Sequence, residues 1–85
     1  MTLQQLIDSG IKEVFIKSYG YTSVSALNST WQPFKNARFI EFYIDEDNFL
    51  YNPEFWIEEL SLEDEFVLKN GKYFSIMDFD LCSKD

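Results

Sequence analysis

The chain contains no histidine, one cysteine, two prolines and three glycines, and each shortage closes off some chemistry. Without histidine the commonest general base is missing, and with it the nucleophilic triads that depend on an imidazole. Cys82 stands alone near the C-terminus, which excludes an internal disulfide and a thiolate cluster for zinc and fits a reducing, cytoplasmic setting. Its neighbours Asp80 and Asp85, with Lys84 as the one nearby base, are the wrong surroundings for a low-pKa thiolate. Gly10, Gly20 and Gly71 form neither a dinucleotide fingerprint nor a phosphate loop. Residues 1–10 carry no basic leader and no sustained apolar run, so neither a signal peptide nor a membrane-spanning helix is expected. No repeat or low-complexity tract is present.

Basic side chains are also scarce, and unevenly placed. Seven lysines and arginines face fifteen carboxylates, for a net charge of −8. Residues 1–40 hold Lys12, Lys17, Lys35 and Arg38 against Asp8 and Glu13; residues 41–85 hold three lysines against thirteen carboxylates. Such a half-chain projects a strong field of one sign, which attracts positively charged partners and repels nucleic acid. Direct binding to nucleic acid is therefore disfavoured, because a groove needs lysine and arginine to neutralise phosphates. Docking on an anionic membrane is disfavoured for the same reason. The expected partner is a basic protein, with no cofactor and no small molecule.

What the chain has in quantity is aromatic surface. Sixteen residues are aromatic, nine of them Phe, and ten of the sixteen lie in the acidic half. Each buried aromatic removes ~150–250 Å² from water, enough in sum for 85 residues to fold as one domain without staples. Acidic tails that stay unfolded lack this payload.

Local patterns place the elements. Thr2 and Gln5 have capping-box spacing, with Leu3, Leu6 and Ile7 on one side and Gly10 as a stop, which predicts a helix over about residues 2–9. Residues 11–19, dense in Val, Ile and Phe, read as a strand, with prolongation of the helix past Gly10 as the alternative. Residues 21–35 read as a loop rich in Ser, Thr and Asn, with a helical turn around 23–27. From 37 to 44 a strand should place Phe39, Glu41 and Tyr43 on one face and Ile40, Phe42 and Ile44 on the other, the second face meeting the core. A turn at 45–48 leads to a short paired strand at 49–51. Asn52-Pro53 supplies an N-cap and a first-turn proline for a helix to about residue 60. Asn70-Gly71 predicts a type I′ hairpin joining strands at 65–68 and 73–81. The expected fold is α+β: an antiparallel sheet of about four to five strands with one or two short helices packed on one face.

Read at about 100° per residue, the helix at 53–60 gathers Pro53, Trp56, Ile57 and Leu60 into a core stripe and sets Phe55 among Glu54, Glu58 and Glu59. Phe55 is then either tucked under a loop within a solvated acidic face, or an apolar anchor whose glutamates pair with a partner's Arg or Lys. The carboxylates extend through Asp45, Glu46 and Asp47 in the turn, Glu63, Asp64 and Glu65 after the helix, and Asp78 with Asp80 in the last strand. With Glu41 and Tyr51 they make a candidate partner-binding array, whose alternative is a charged surface serving solubility. An EF-hand loop from Asp45 fails, since Phe49, Leu50 and Trp56 stand where an oxygen ligand, Gly and Glu are required; a loose divalent site stays open. A paired-carboxylate reaction also stays open, since any two of the acids could meet in a cleft. The chain is otherwise read as non-catalytic.

Small, acidic, cysteine-poor chains without catalytic machinery are similar in kind to phage-encoded anti-restriction and anti-CRISPR proteins and to inhibitors of DNA-repair glycosylases. The resemblance is one of composition, so no functional residue is carried over from those families. It implies an inhibitor of a nucleic-acid-handling protein, with the carboxylates between 41 and 65 in place of phosphates and Phe55 or Tyr51 as apolar contact. Two alternatives use the same physics: an immunity or antitoxin protein that neutralises a basic toxin, and an accessory subunit whose exposed aromatics complete a larger assembly.

Overall fold

The computed structural model describes residues 1–23, 31–47 and 49–84. One short helix, α1 (Leu3–Asp8), precedes six strands: β1 (Glu13–Ser23), β2 (Trp31–Tyr43), β3 (Phe55–Ile57), β4 (Phe66–Lys69), β5 (Lys72–Asp78) and β6 (Leu81–Ser83). The fold is mostly β. The helical turn expected around 23–27 falls largely outside the described residues, and β2 begins at Trp31, inside the stretch read as loop.

The capping box of α1 forms as its spacing predicts. The Gln5 N–H donates to Thr2 Oγ1 at 3.2 Å and the Thr2 N–H donates to Gln5 Oε1 at 2.8 Å. A six-residue helix cannot stand alone in water. It is held by Leu3 and Leu6, both fully buried, and by two N–H groups of its first turn, which donate to the carbonyls of Asp64 and Leu62. Gly10, at φ +77°, turns the chain out of the helix into β1.

β1 is the spine of one mixed sheet. β2 runs antiparallel along one edge of it, from Glu13 opposite Tyr43 to Thr22 opposite Trp31. Along the other edge lie β5 and then β6, both parallel to β1, so the expectation of an antiparallel sheet holds only in part. β4 flanks β5 and β3 flanks β6, both antiparallel. The parallel pairing follows from the route of the chain, which leaves β2, passes through residues 44–65 and re-enters by the β4–β5 hairpin. That hairpin has the type I′ turn expected of Asn-Gly, with Asn70 at φ 54°, Gly71 at φ 79° and Lys69 opposite Lys72.

The second predicted helix does not form. Residues 55–57 are strand β3, paired with β6. Asn52 still performs the capping chemistry read from the sequence: its Oδ1 accepts the N–H groups of Glu54 at 2.7 Å and Phe55 at 3.0 Å, while its Nδ2 donates to the Glu41 carbonyl. The turn it caps opens into extended chain because alternation wins over the helical stripe. Phe55 and Ile57 pack inward against the core, and Trp56 between them points out. The expected core stripe is therefore wrong at Trp56, which is 56% exposed, and at Pro53, also exposed.

One side of the sheet carries the core: Val14 and Ile16 of β1, Phe42, Phe66, Leu81 and Phe79, closed by Leu3 and Leu6 of α1. Ile40 and Ile44 pack beside Phe42, as the alternation in β2 predicts. Among the described residues no helix is long and apolar enough to cross a membrane.

Candidate functional site: two acidic clefts and an uncovered sheet face

The segment 58–65 bridges β3 to β4 and takes the N-terminus of α1 on its carbonyls. It borders two clefts. The larger, about 600 Å³, lies between α1, the turn after β2 and Leu62. Ile7, Ile11, Ile44, Phe49 and Leu62 give it apolar walls, and Asp8, Asp45 and Glu46 with Lys12 give it a charged rim. The smaller, about 160 Å³, is lined by five carboxylates, Glu58, Glu59, Asp64, Asp78 and Asp80, together with Met77 and Phe79. Among the described residues no basic side chain lines it, although Lys17 reaches Asp78 at 3.6 Å from the sheet side.

Each cleft contains one non-glycine residue in the left-handed region. Phe49 has φ 61° and Glu59 has φ 56°. An L-residue there costs about 1–2 kcal/mol, so two bulky side chains are held in costly conformations and left exposed at cleft walls.

The expected partner-binding residues divide among these places. Asp45 and Glu46 line the larger cleft beside Asp47, whose N–H donates to Asp45 Oδ1 at 2.9 Å. Glu58, Glu59 and Asp64 line the smaller one. Asp64 and Glu65 are partly spent on structure: Asp64 Oδ2 accepts the Ser61 N–H at 2.7 Å, and Glu65 lies 3.3 Å from the Met1 amine. Glu63 is exposed in the turn from Ser61 to Asp64. Phe55, read either as tucked within an acidic face or as an exposed anchor among glutamates, is half-buried against the core. Its place is taken by Trp56, which forms with Tyr51 a two-ring platform for Lys84, the ammonium lying 4.2 Å and 4.4 Å from the ring centres. Glu54 is exposed nearby and its carbonyl accepts the Lys84 N–H. Beside this platform the Cys82 thiol donates to Glu58 Oε1 at 3.0 Å.

Glu41 sits elsewhere, on the side of the sheet that α1 does not cover. There it accepts from the Tyr43 hydroxyl at 2.7 Å and lies within reach of the Glu13 carboxyl. The Tyr43 hydroxyl, more than Glu13, holds the Glu41 carboxyl below its ordinary pKa. The bond to Glu41 raises that of Glu13, since a carboxyl must keep its proton to donate to a carboxylate. The Tyr43 hydroxyl in turn titrates above its ordinary value.

Around this pair the sheet is aromatic. Phe15 and Phe74 stack at 5.1 Å, and Phe39 meets Phe74 edge-on at 5.0 Å. Lys72 lies 5.2 Å from the Phe15 ring centre. Phe39, Tyr43 and Val67 are each about 45% exposed. The sequence pattern put Trp56 in the core and gave Phe49 no contact role; the alternation of Phe39, Glu41 and Tyr43 located one strand of the face without showing that Phe15 and Phe74 join it. No protein-family model, curated protein or solved structure matches this chain.

Proposed function

We propose that this chain is a non-catalytic, protein-binding inhibitor that seats a basic, nucleic-acid-handling protein against segment 58–65 and its two clefts, carboxylates taking the place of phosphates. The observation that carries this reading is the smaller cleft, where five carboxylates converge without a basic lining residue among those described. Like charges drawn together raise the cost of folding, so their convergence calls for a cationic ligand rather than a stability role. The larger cleft adds apolar walls within an acidic rim, which suits the aliphatic stem and charged head of a partner's Arg or Lys. The exposed, conformationally costly Phe49 is the apolar contact.

Affinity capture from host lysate, with and without excess duplex DNA, tests this. A captured nuclease, CRISPR effector or repair enzyme that DNA displaces supports the proposal, as does binding that falls steeply with added salt. The triple variant Glu46→Gln, Glu59→Gln, Asp80→Asn should then lose the interaction while keeping the fold, since all three side chains are exposed. A partner indifferent to DNA, to salt and to these substitutions sinks the nucleic-acid-mimicking reading. The accessory-subunit reading draws on a different observation, the uncovered sheet face.

A further inference from the structure

The sheet is covered on one side by α1 and segment 58–65, and on the other Phe39, Tyr43 and Val67 are exposed around the partly buried rings of Phe15 and Phe74. We infer that two copies of this chain pack these uncovered faces against each other, forming a two-fold, sheet-on-sheet dimer.

The charge on this face selects that occupant. Lys17 is paired with Asp78 at 3.6 Å, Lys72 lies over Phe15, Lys69 stands opposite Lys72, and Glu13 and Glu41 lie diagonally across the β1–β2 pairing. Three cations and three carboxylates thus occupy one face of a chain whose net charge is −8. The rest of the molecule repels a second copy, while this face is electrically balanced. A two-fold interface also requires a patch that complements itself, and a patch bearing both signs around an aromatic centre can do so. The acidic clefts discriminate against a second copy and favour a basic partner; the open face does the reverse.

The molecule measures 40 × 29 × 19 Å, a scale on which a face can approach the roughly 800 Å² each partner contributes to an interface of standard size. Two sheet faces meeting about 10 Å apart would enclose the Phe15, Phe39 and Phe74 rings as the inner layer of a sandwich. The larger cleft lies on the α1 side, away from this face, so a dimer would offer two copies of it at once.

Sedimentation equilibrium of the full chain over a concentration series tests the inference. A monomer–dimer equilibrium is expected, and added salt should strengthen it, because screening removes the −8 against −8 repulsion and leaves apolar contact. Phe39→Glu should lower the association constant about tenfold or more, as loss of a central aromatic anchor does, and Val67→Lys should act likewise from a second strand of the same face. Circular dichroism shows whether each variant is folded, and hydrogen exchange of the unaltered protein on dilution gives a readout that needs no variant. Amides of β1 and β5 should lose protection as the dimer dissociates. A mass of one chain at all concentrations overturns the inference, as does a dimer that salt weakens or that both folded variants retain. None of these outcomes depends on the nature of the basic partner.

Discussion

The Lys17 backbone N–H donates to the side-chain oxygen of Ser75 at 2.8 Å, and the Ser75 hydroxyl donates in turn to the Met77 carbonyl. One buried hydroxyl thereby fills a gap in the parallel ladder between β1 and β5, where the register passes from Phe15 opposite Phe74 to Lys17 opposite Asp78. Two steps along β1 match four along β5, and without Ser75 the bulge would leave a buried donor and an acceptor unpaired.

Ser75→Ala should therefore destabilise the fold by about 1–3 kcal/mol, the cost of stranding a buried polar group. Urea denaturation should show a lower midpoint with an unchanged slope. A midpoint equal to the unaltered protein's would mean that water replaces the hydroxyl.

The exchange of roles between Phe55 and Trp56 is open to a paired measurement. Phe55→Ala removes a half-buried ring packed on the core and should cost about 2 kcal/mol, below the range for a fully buried Phe. Trp56→Ala should stay within about 0.5 kcal/mol, because the ring is mostly in solvent. A helix over 53–60 would reverse this order.

The carboxyl pair on the open face sets two opposed pH dependences. Glu13, whose pKa is raised above 4.5 by its bond to Glu41, stabilises the fold below its unfolded value, and the contribution is lost as pH rises through the folded value. Glu41, whose pKa is lowered by the Tyr43 hydroxyl, stabilises the fold above 4.5, and the contribution is lost as pH falls through its folded value. Glu13→Gln keeps a donor to Glu41 without the second charge. Its stability relative to the unaltered protein should rise as pH is taken from acid through the raised Glu13 value towards neutrality. Tyr43→Phe should cost more at neutral pH than in acid. Thermal melts at a series of pH values check both, and a flat difference for Glu13→Gln would show that the two carboxyls do not interact.

Phe49→Gly separates backbone cost from contact. Glycine occupies φ 61° freely, and the relief of about 1–2 kcal/mol is offset in part by the added freedom of the unfolded chain. Stability should hold or rise by up to about 1 kcal/mol while capture of a basic partner weakens. A loss of stability instead would identify the Phe49 ring as part of the packing.

Much of the fold was legible because it rests on neighbours in the chain. The Thr2–Gln5 box, the Asn70-Gly71 turn and the inward set Ile40, Phe42 and Ile44 each depend on spacings of a few residues, and each stands as read. Segment 52–60, read as a helix, was misjudged for the same reason. Its local signals, Asn52 before Pro53 and a stripe at helical spacing, suit a helix, yet a helix that short gains little by itself. Pairing with β6, distant in sequence, gives residues 55–57 backbone partners along one edge and packs Phe55 and Ile57 against the core.

The sequence by itself determined the composition of the surface: a surplus of carboxylates, little to neutralise them, and more aromatic rings than a core of this size conceals. Tertiary structure decided how that surface is divided. Strands far apart in the chain bring Phe15, Phe39 and Phe74 to one face, while the loop between β3 and β4 gathers Glu58, Glu59 and Asp64 beside Asp78 and Asp80. Neighbours across a sheet are set by register and connection, which no local spacing encodes.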